Sequence, residues 1–158
     1  MSNDLSIPIH LPMDNGYLRR ECPACERQFK WHHGPTEGRP PDAIDPPVYF
    51  CPYCGSAAPP GSWWTREQLE YARDSAAGPV ARAMGDALGK AIGRQPSNSF
   101  IKIELKRSDP PEPPPALHEL DDMVIVEAPC HPWEPIKVAA DWSEPLSCLI
   151  CGSRFAIR

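Results

Sequence analysis

The apolar positions between residues 79 and 93 recur with the spacing of an α-helix. The members of this apolar stripe are Val80, Ala83, Met84, Ala87, Leu88, Ala91 and Ile92. Such an i, i+3, i+4, i+7 pattern predicts an amphipathic helix. A preceding helix is predicted from Thr65, because Gln68 three residues later completes a capping box. We expect Gly78-Pro79 to end the first helix and open the second.

Alternation of apolar and polar residues predicts strands further along the chain. In "SFIKIELKR" (99–107), three apolar residues alternate with charged ones, which is typical of a half-buried strand. A proline tract at 110–115 follows and is typical of a semi-rigid linker. The three remaining strand candidates are "MVIVEA" (123–128), "PIKVA" (135–139) and "RFAI" (154–157).

A second stripe, of small residues, runs beside the apolar stripe of the 79–93 helix. Its members are Ala81, Gly85, Gly89 and Gly93. Small residues at a spacing of four permit another backbone to approach closely. Charged residues on the same helix, including Arg82 and Lys90, argue against a membrane setting. Two interpretations stay open: the small-residue stripe packs on its own domain or on a second copy in a homo-oligomer, or the helix is an ordinary, weakly stable surface helix.

The composition limits how large the packed core can be. Proline accounts for 22 of 158 residues, well above the usual frequency of about 5%. Small cores usually need a disulfide or a metal ion for stability. The N-terminal residues lack the features of a secretory signal, and no apolar run is long enough to span a membrane. We therefore expect a cytoplasmic protein in which paired cysteines bind metal rather than form disulfides.

The charge distribution disfavours contact with phosphate at both cysteine-bearing ends. The net charge is −5, with 5 basic and 7 acidic residues in 1–62 and 3 basic and 7 acidic residues in 116–158. Nucleic-acid binding requires clusters of basic residues. The best local support for it lies in residues 90–107, where Glu104 is the one acidic residue. The basic residues of that stretch are Lys90, Arg94, Lys102, Lys106 and Arg107.

Two Cys-x-x-Cys pairs in the N-terminal half predict a first metal site, which we call centre 1. The short turn of each pair lets both sulfurs converge, and four thiolates complete the tetrahedral coordination that zinc prefers. Gly55, directly after the second pair, permits the positive φ that such turns often need. Four protein ligands leave no open position, so a structural site is expected. The predicted ligands of centre 1 are Cys22, Cys25, Cys51 and Cys54.

A third Cys-x-x-Cys pair, in "CLICGSRF" (148–155), predicts a second site, centre 2. Two sulfurs cannot complete a tetrahedron, and the nearest upstream ligands are Cys130 and His131. Adjacent residues can reach one ion only where the chain turns, which the flanking prolines favour. His118 or a water molecule is the alternative fourth ligand, and a water would make the site reactive. The predicted ligands of centre 2 are Cys130, His131, Cys148 and Cys151.

Two enzymatic alternatives use the same cysteines. A thioredoxin-like redox motif should open a helix near a βαβ pattern, and none of the three pairs precedes a predicted helix. Cys130 and His131 could instead act as a nucleophile and its base. That role needs a cleft, an orienting residue and a larger core than this segment provides.

The motifs "CPAC" (22–25) and "CPYCG" (51–55) resemble those of zinc ribbons and, more broadly, of the rubredoxin-like class. Aromatic residues lie nearby, at Phe29, Trp31, Tyr49 and Phe50. The resemblance covers about residues 17–58 and implies a two-knuckle β module used for nucleic-acid or protein contacts. Rubredoxins hold one iron for electron transfer with similar knuckles. Glu26 stands where rubredoxins have glycine, which puts iron in doubt.

These observations predict a small α+β, metal-stapled fold with two β-built zinc-ribbon-like units joined by a helical segment and a Pro-rich linker. The expected segments are an extension (1–16), a zinc ribbon (17–62), a helical segment broken at Gly78-Pro79 (63–95), a strand (96–107), a Pro-rich linker (108–116) and a second ribbon-like unit (117–158).

The predicted function is that of a non-enzymatic protein with two Zn²⁺ ions per chain, acting as an adaptor or protein-interaction module with a protein partner. One alternative is a nucleic-acid-binding, transcription-associated zinc ribbon. A second is a rubredoxin-like electron carrier with iron in centre 1, and a small zinc hydrolase is a third.

Overall fold

The structure, a computed structural model, describes residues 4–94, 104 and 106–157. It contains one α-helix, α1 (Arg66–Gly93), and a short 3-10 helix (Pro60–Ser62). The strands are β1 (Tyr17–Glu21), β2 (Gln28–His32), β3 (Tyr49–Phe50), β4 (Ala57–Ala58), β5 (Met123–Ala128), β6 (His131–Ala139), β7 (Leu146–Ser147) and β8 (Arg154–Phe155). The predicted strand at 96–107 falls mostly outside the described residues.

The chain forms two compact units, which we call the helical unit and the sheet unit. The helical unit comprises Met1–His10 and Leu69–Ala116, and the sheet unit comprises Leu11–Gln68 and Leu117–Arg158. The predicted small α+β class with two cysteine clusters is confirmed. None of the helices within the described ranges combines the length and the apolar character needed to cross a bilayer.

The sheet unit is built on a four-stranded antiparallel sheet with the strand order β1-β2-β6-β5. Strand β2 pairs with β6, with Lys30 opposite Lys137 and Trp31 opposite Ile136. The hairpin from the N-terminal half and the hairpin from the C-terminal half therefore share one sheet. The predicted division into two ribbon-like units is not confirmed, because this pairing joins them.

One face of the sheet is mainly apolar and packs on the hairpins β3–β4 and β7–β8. Phe29, Ile136 and Val138 on this face are buried together with Trp63 and Leu146. We call this side the apolar face. The core is small, as the proline content predicts, and its members include the cysteines Cys22 and Cys51.

Arg20 is an unexpected member of the apolar face. Its guanidinium group lies between the rings of Trp31 and Trp64, at 4.5 and 4.4 Å from their centroids. Burial lowers the pKa of Arg20 to about 10. Its Nε atom has no hydrogen-bond partner among the described residues. Two cation–π contacts therefore offset part of the cost of burying this charge.

The opposite face carries three neighbouring cations, and we call it the charged face. Arg19 pairs with Lys30 across β1 and β2, and Lys30 pairs with Lys137 across β2 and β6. Like charges directly opposite one another destabilise a sheet. Four carboxylates compensate these charges, and they belong to Asp14, Glu119, Asp121 and Asp122.

The charged face is sealed by the segment 117–122, which lies directly before β5. Lys30 Nζ is fully buried, lies 3.0 Å from both Asp14 and Glu119, and also donates to the Leu120 carbonyl. Lys137 Nζ lies 2.6 Å from Asp14. Sequence reasoning missed this ion network. Its signals are a lysine inside each of the strands "QFKWH" and "HPWEPIKVA" and the acidic run before β5.

The start of α1 follows the predicted capping box. The Thr65 hydroxyl accepts a hydrogen bond from the Gln68 N–H at 3.0 Å, and the Gln68 side chain accepts one from the Thr65 N–H at 3.1 Å. The Gln68 amide also donates to the Arg19 carbonyl on the outer edge of β1. The cap residue Gln68 is therefore hydrogen-bonded to β1.

The predicted helix break at Gly78-Pro79 is wrong, because α1 continues through both residues. Proline has a helix-compatible φ, but inside a helix it loses one backbone hydrogen bond and its ring crowds the carbonyl four residues earlier. Gly78 has a different role, since a Cβ atom there would lie 3.0 Å from the Pro111 carbonyl. The segment after Lys106 thus lies along the helix, where Arg107 donates to Asp86 and to the Gly85 carbonyl.

Candidate metal centres

The three Cys-x-x-Cys turns, which we call knuckles 1, 2 and 3 in chain order, share one backbone geometry. The residue after each second cysteine donates its N–H to the carbonyl of the first cysteine at 2.9 Å, in the pairs Glu26–Cys22, Gly55–Cys51 and Gly152–Cys148. These donors have φ values of 62°, 75° and 74°. Glu26 thus adopts the left-handed conformation that glycine adopts most easily.

Centre 1 is formed by knuckles 1 and 2. Knuckle 1 connects β1 to β2, and knuckle 2 connects β3 to β4. The Cys22 and Cys54 sulfurs are 3.7 Å apart, and the Cys25 and Cys51 sulfurs are 3.8 Å apart. Zinc–sulfur bonds of about 2.3 Å give a sulfur–sulfur separation of roughly 3.8 Å in a regular tetrahedron. The four thiols therefore fit one tetrahedral ion.

Centre 2 combines knuckle 3, between β7 and β8, with the tight turn between β5 and β6. That turn contains Cys130, and His131 is the first residue of β6. The Cys130 and Cys151 sulfurs are 3.5 Å apart, and His131 Nδ1 lies 3.4 Å from the Cys148 sulfur. The chain thus turns between the adjacent residues, as a shared ion requires.

The structure brings together each set of four predicted ligands. Within each set, the four ligand atoms lie within 4.8 Å of one another. His118, the alternative ligand of centre 2, is not a member of either cluster among the described residues, and neither are His32 and His33. All seven cysteines are free thiols.

In knuckles 2 and 3, the pKa of the first cysteine is raised and the pKa of the second cysteine is lowered. Burial raises the pKa of Cys51 strongly and raises the pKa of Cys148 to about 12. For Cys54 and Cys151, the effect of burial is outweighed by hydrogen bonds with the serine two residues later and with the neighbouring cysteines, which together lower each pKa to about 6. Thiolates gathered in one site would repel one another, and a divalent cation would remove that cost.

The two centres differ in their exposure to solvent. In centre 1, Cys22 and Cys51 are fully buried and belong to the hydrophobic core. In centre 2, only Cys148 is buried, whereas Cys130 and Cys151 are exposed. Both sets are closed on four protein ligands, so the arrangement suits a structural ion in each centre.

Sequence reasoning missed the role of Tyr53, the third residue of knuckle 2. The buried Tyr53 hydroxyl donates to the Gln28 carbonyl at 2.9 Å and accepts from the Ala139 N–H at 3.0 Å. It therefore connects knuckle 2 to the start of β2 and to the end of β6. A tyrosine between two metal ligands carries no sequence signal for this contact.

Comparisons with protein-family models, with curated proteins and with solved structures found no match to this chain.

Proposed function

We propose that this chain is a non-enzymatic protein that binds two structural zinc ions and serves as a protein-interaction or adaptor module. The observation that carries the proposal is the convergence of four ligand atoms in each centre. Four protein ligands fill the coordination sphere of tetrahedral zinc and leave no position for a substrate. A bound ion would therefore stabilise the fold rather than take part in a reaction.

The donor sets support zinc in preference to iron. Three cysteines and one histidine are a common structural zinc set, whereas four thiolates accept either metal. Glu26 no longer disfavours iron at centre 1, because its backbone matches that of the glycines in the other knuckles. The histidine of centre 2 thus favours zinc there, and we propose the same metal for centre 1.

Charge and exposure support a protein partner rather than a nucleic acid. The net charge is −5, and the cations Lys30 and Lys137 are buried against carboxylates, where phosphate cannot reach them. Apolar side chains are exposed on the edge strand β5 at Val124 and Ile125. The outer edge of β5 also has no strand partner in the described sheet, and the unpaired backbone of an edge strand can pair with another chain.

Metal analysis of protein purified without added metal tests the proposal. We expect two zinc ions per chain, one per chain for Cys130→Ser, and two for the matched control His118→Ala. A single zinc in the wild type, or a red iron-bearing protein, would contradict the two-zinc assignment. An unchanged count in Cys130→Ser would remove Cys130 from centre 2.

Binding to mixed DNA and RNA tests the interaction role against the nucleic-acid alternative. We expect no binding at low salt. Binding that is strong at low salt and weakens as salt rises would support phosphate contacts and contradict the proposed role. A protein partner should be identified by cross-linking and then reconstituted as a complex from purified components.

A further inference from the structure

We propose that the two metal centres bind their ions cooperatively, because knuckles 2 and 3 hold each other in place. This inference rests on the proposed two-metal function. It concerns a property that the ligand sets alone do not imply, namely that occupation of one centre raises the affinity of the other.

Knuckles 2 and 3 exchange a reciprocal pair of backbone hydrogen bonds. The Phe50 N–H donates to the Leu149 carbonyl at 2.9 Å, and the Ser147 N–H donates to the Pro52 carbonyl at 2.8 Å. Each donor directly precedes the first cysteine of its knuckle, and each acceptor directly follows one. The donor and the acceptor of each hydrogen bond are therefore both adjacent in sequence to a predicted metal ligand.

Side-chain packing also connects knuckles 2 and 3 reciprocally. A Cβ atom on Gly152 would lie 2.8 Å from the Phe50 ring, and a Cβ atom on Gly55 would lie 3.2 Å from the Ser147 hydroxyl. Each glycine that ends a knuckle thus contacts the residue that precedes the other knuckle. Ser147 and Leu149 are buried in this contact. Movement of either knuckle would disturb its partner.

The hairpins that carry knuckles 2 and 3 are too small to hold these positions alone. Strands β3, β4, β7 and β8 contain two residues each. An isolated hairpin is marginally stable at best in water. Each hairpin depends on its ligands, which would tie it to the four-stranded sheet, and on the other hairpin.

The contacts form a closed ring through the sheet unit. Centre 1 joins knuckle 1 to knuckle 2, knuckle 2 contacts knuckle 3, and centre 2 joins knuckle 3 to the β5–β6 turn. The pairing of β2 with β6 connects that turn back to knuckle 1. An ion in either centre orders one half of the ring and thereby positions ligands of the other half. Such coupling must be reciprocal.

The decisive experiment changes one knuckle and measures metal affinity at the other centre. Gly152→Ala keeps all eight ligands but disturbs the Phe50 contact. The cobalt(II) affinity of centre 1 is then measured in the full-length reduced protein by competition with a chelator, since S4 and S3N cobalt sites differ in their absorption spectra. Gly55→Ala provides the reverse measurement at centre 2.

Gly34→Ala is the matched control. Gly34 also has a positive φ, of +85°, but no atom lies within 4 Å of the position of its Cβ. We expect Gly152→Ala to lower the cobalt affinity of centre 1 by about tenfold, which is within the usual range of coupling between sites. Gly34→Ala should leave the cobalt affinities of both centres unchanged. The cobalt affinity of centre 2 should fall by a similar factor in the double variant Cys22→Ser, Cys25→Ser.

Each outcome separates the two proposals. Cooperativity would be overturned if both glycine variants bind cobalt at the distant centre with an affinity within about twofold of the wild type. If two cobalt ions per chain still bind, the two-metal function would stand. Equal weakening by Gly34→Ala would also overturn it, because the effect would then reflect general destabilisation. Failure of the wild type to bind metal would contradict the proposed function itself.

Discussion

The apolar face of the sheet packs on two hairpins that carry candidate metal ligands, whereas the charged face is covered by the acidic segment 117–122. Burial of apolar surface stabilises the first face, but its hairpins have two-residue strands and need the cysteine clusters to hold them. The second face is stable only if every buried charge has a partner. One small sheet thus uses two kinds of stabilisation, and each should fail under different conditions.

Removing the metal should have the largest effect on the stability of the fold, because it should release the hairpins that pack on the apolar face. Structural zinc in small peptides contributes about 10–16 kcal/mol of apparent binding free energy, comparable to the whole stability of a typical domain. We expect a strong chelator under reducing conditions to abolish cooperative unfolding of the sheet unit, as followed by circular dichroism and tryptophan fluorescence. Re-addition of zinc should restore it, and an unfolding curve that chelation leaves unchanged would contradict the structural role.

Removing one buried cation should have the next largest effect and should act through the charged face. Lys30→Met leaves Asp14 and Glu119 without their shared partner. Removing one partner of a buried ion pair costs about 3–5 kcal/mol when the other charge is left alone. Lys137 still contacts Asp14 and Arg19 still contacts Glu119, so we expect a loss at the lower end of this range, about 3 kcal/mol. The measurement is the free energy of unfolding in urea, at constant zinc content.

The matched control for Lys30→Met is Arg73→Met, which removes an exposed ion pair with Asp74 on α1. Exposed substitutions of this kind usually change stability by no more than about 0.5 kcal/mol. Equal effects of the two substitutions would show that the buried network does not contribute more than a surface pair.

Alkaline pH should weaken the stabilisation from the charged face and leave metal binding at the apolar face intact. A hydrogen bond to Asp14 raises the pKa of Lys137 above the ordinary lysine value of 10.5. The stabilisation from its charge is therefore complete below this ordinary value and is lost as pH rises through the folded pKa. Cysteine ligands are favoured by the same change, because protons no longer compete with metal.

Lys137→Met provides the comparison for this pH dependence. We expect the difference in unfolding free energy between wild type and variant to be constant from about pH 8 to 10 and to shrink at higher pH. Zinc content should stay unchanged over the same range. A difference that stays constant well above the ordinary lysine pKa would show that the charge of Lys137 does not stabilise the fold.

The smallest expected effect concerns a single backbone conformation in knuckle 1. Glu26 has a φ of 62°, and a non-glycine residue in this region carries a cost of about 1–2 kcal/mol. Glu26→Gly should therefore stabilise the protein by about 1 kcal/mol, less the entropy of the more flexible unfolded chain. The reverse change at a corresponding position, Gly55→Ala, should destabilise it, and thermal unfolding at constant zinc content measures both.

Local features of the sequence were enough to predict the start of the helix and the membership of both clusters. The capping box of Thr65 and Gln68 depends on residues three apart, and each knuckle depends on four consecutive residues. Strand β5 also has its predicted bounds, whereas β6 begins four residues earlier than predicted, at His131. The β5–β6 turn pairs Ala128 with His131 and so extends the strand.

The features that sequence reasoning missed all depend on contacts between distant residues. The break expected at Gly78-Pro79 does not occur, and Gly78 instead accommodates the Pro111 carbonyl. The pairing of Lys30 with Lys137 joins residues more than one hundred positions apart. No local pattern distinguishes a lysine that meets carboxylates in the folded chain from one on a solvated strand.

By itself, the sequence determined the chemistry that this protein offers: eight candidate metal ligands in short motifs, a small core and an excess of acidic residues. Only the tertiary structure decided that two ribbon-like halves share one sheet, that its second face is an ion network, and that knuckles 2 and 3 contact each other. The physical reason is distance along the chain. A metal site needs particular residue types at short spacing, whereas strand pairing and ion pairing are selected by the packing of the whole unit.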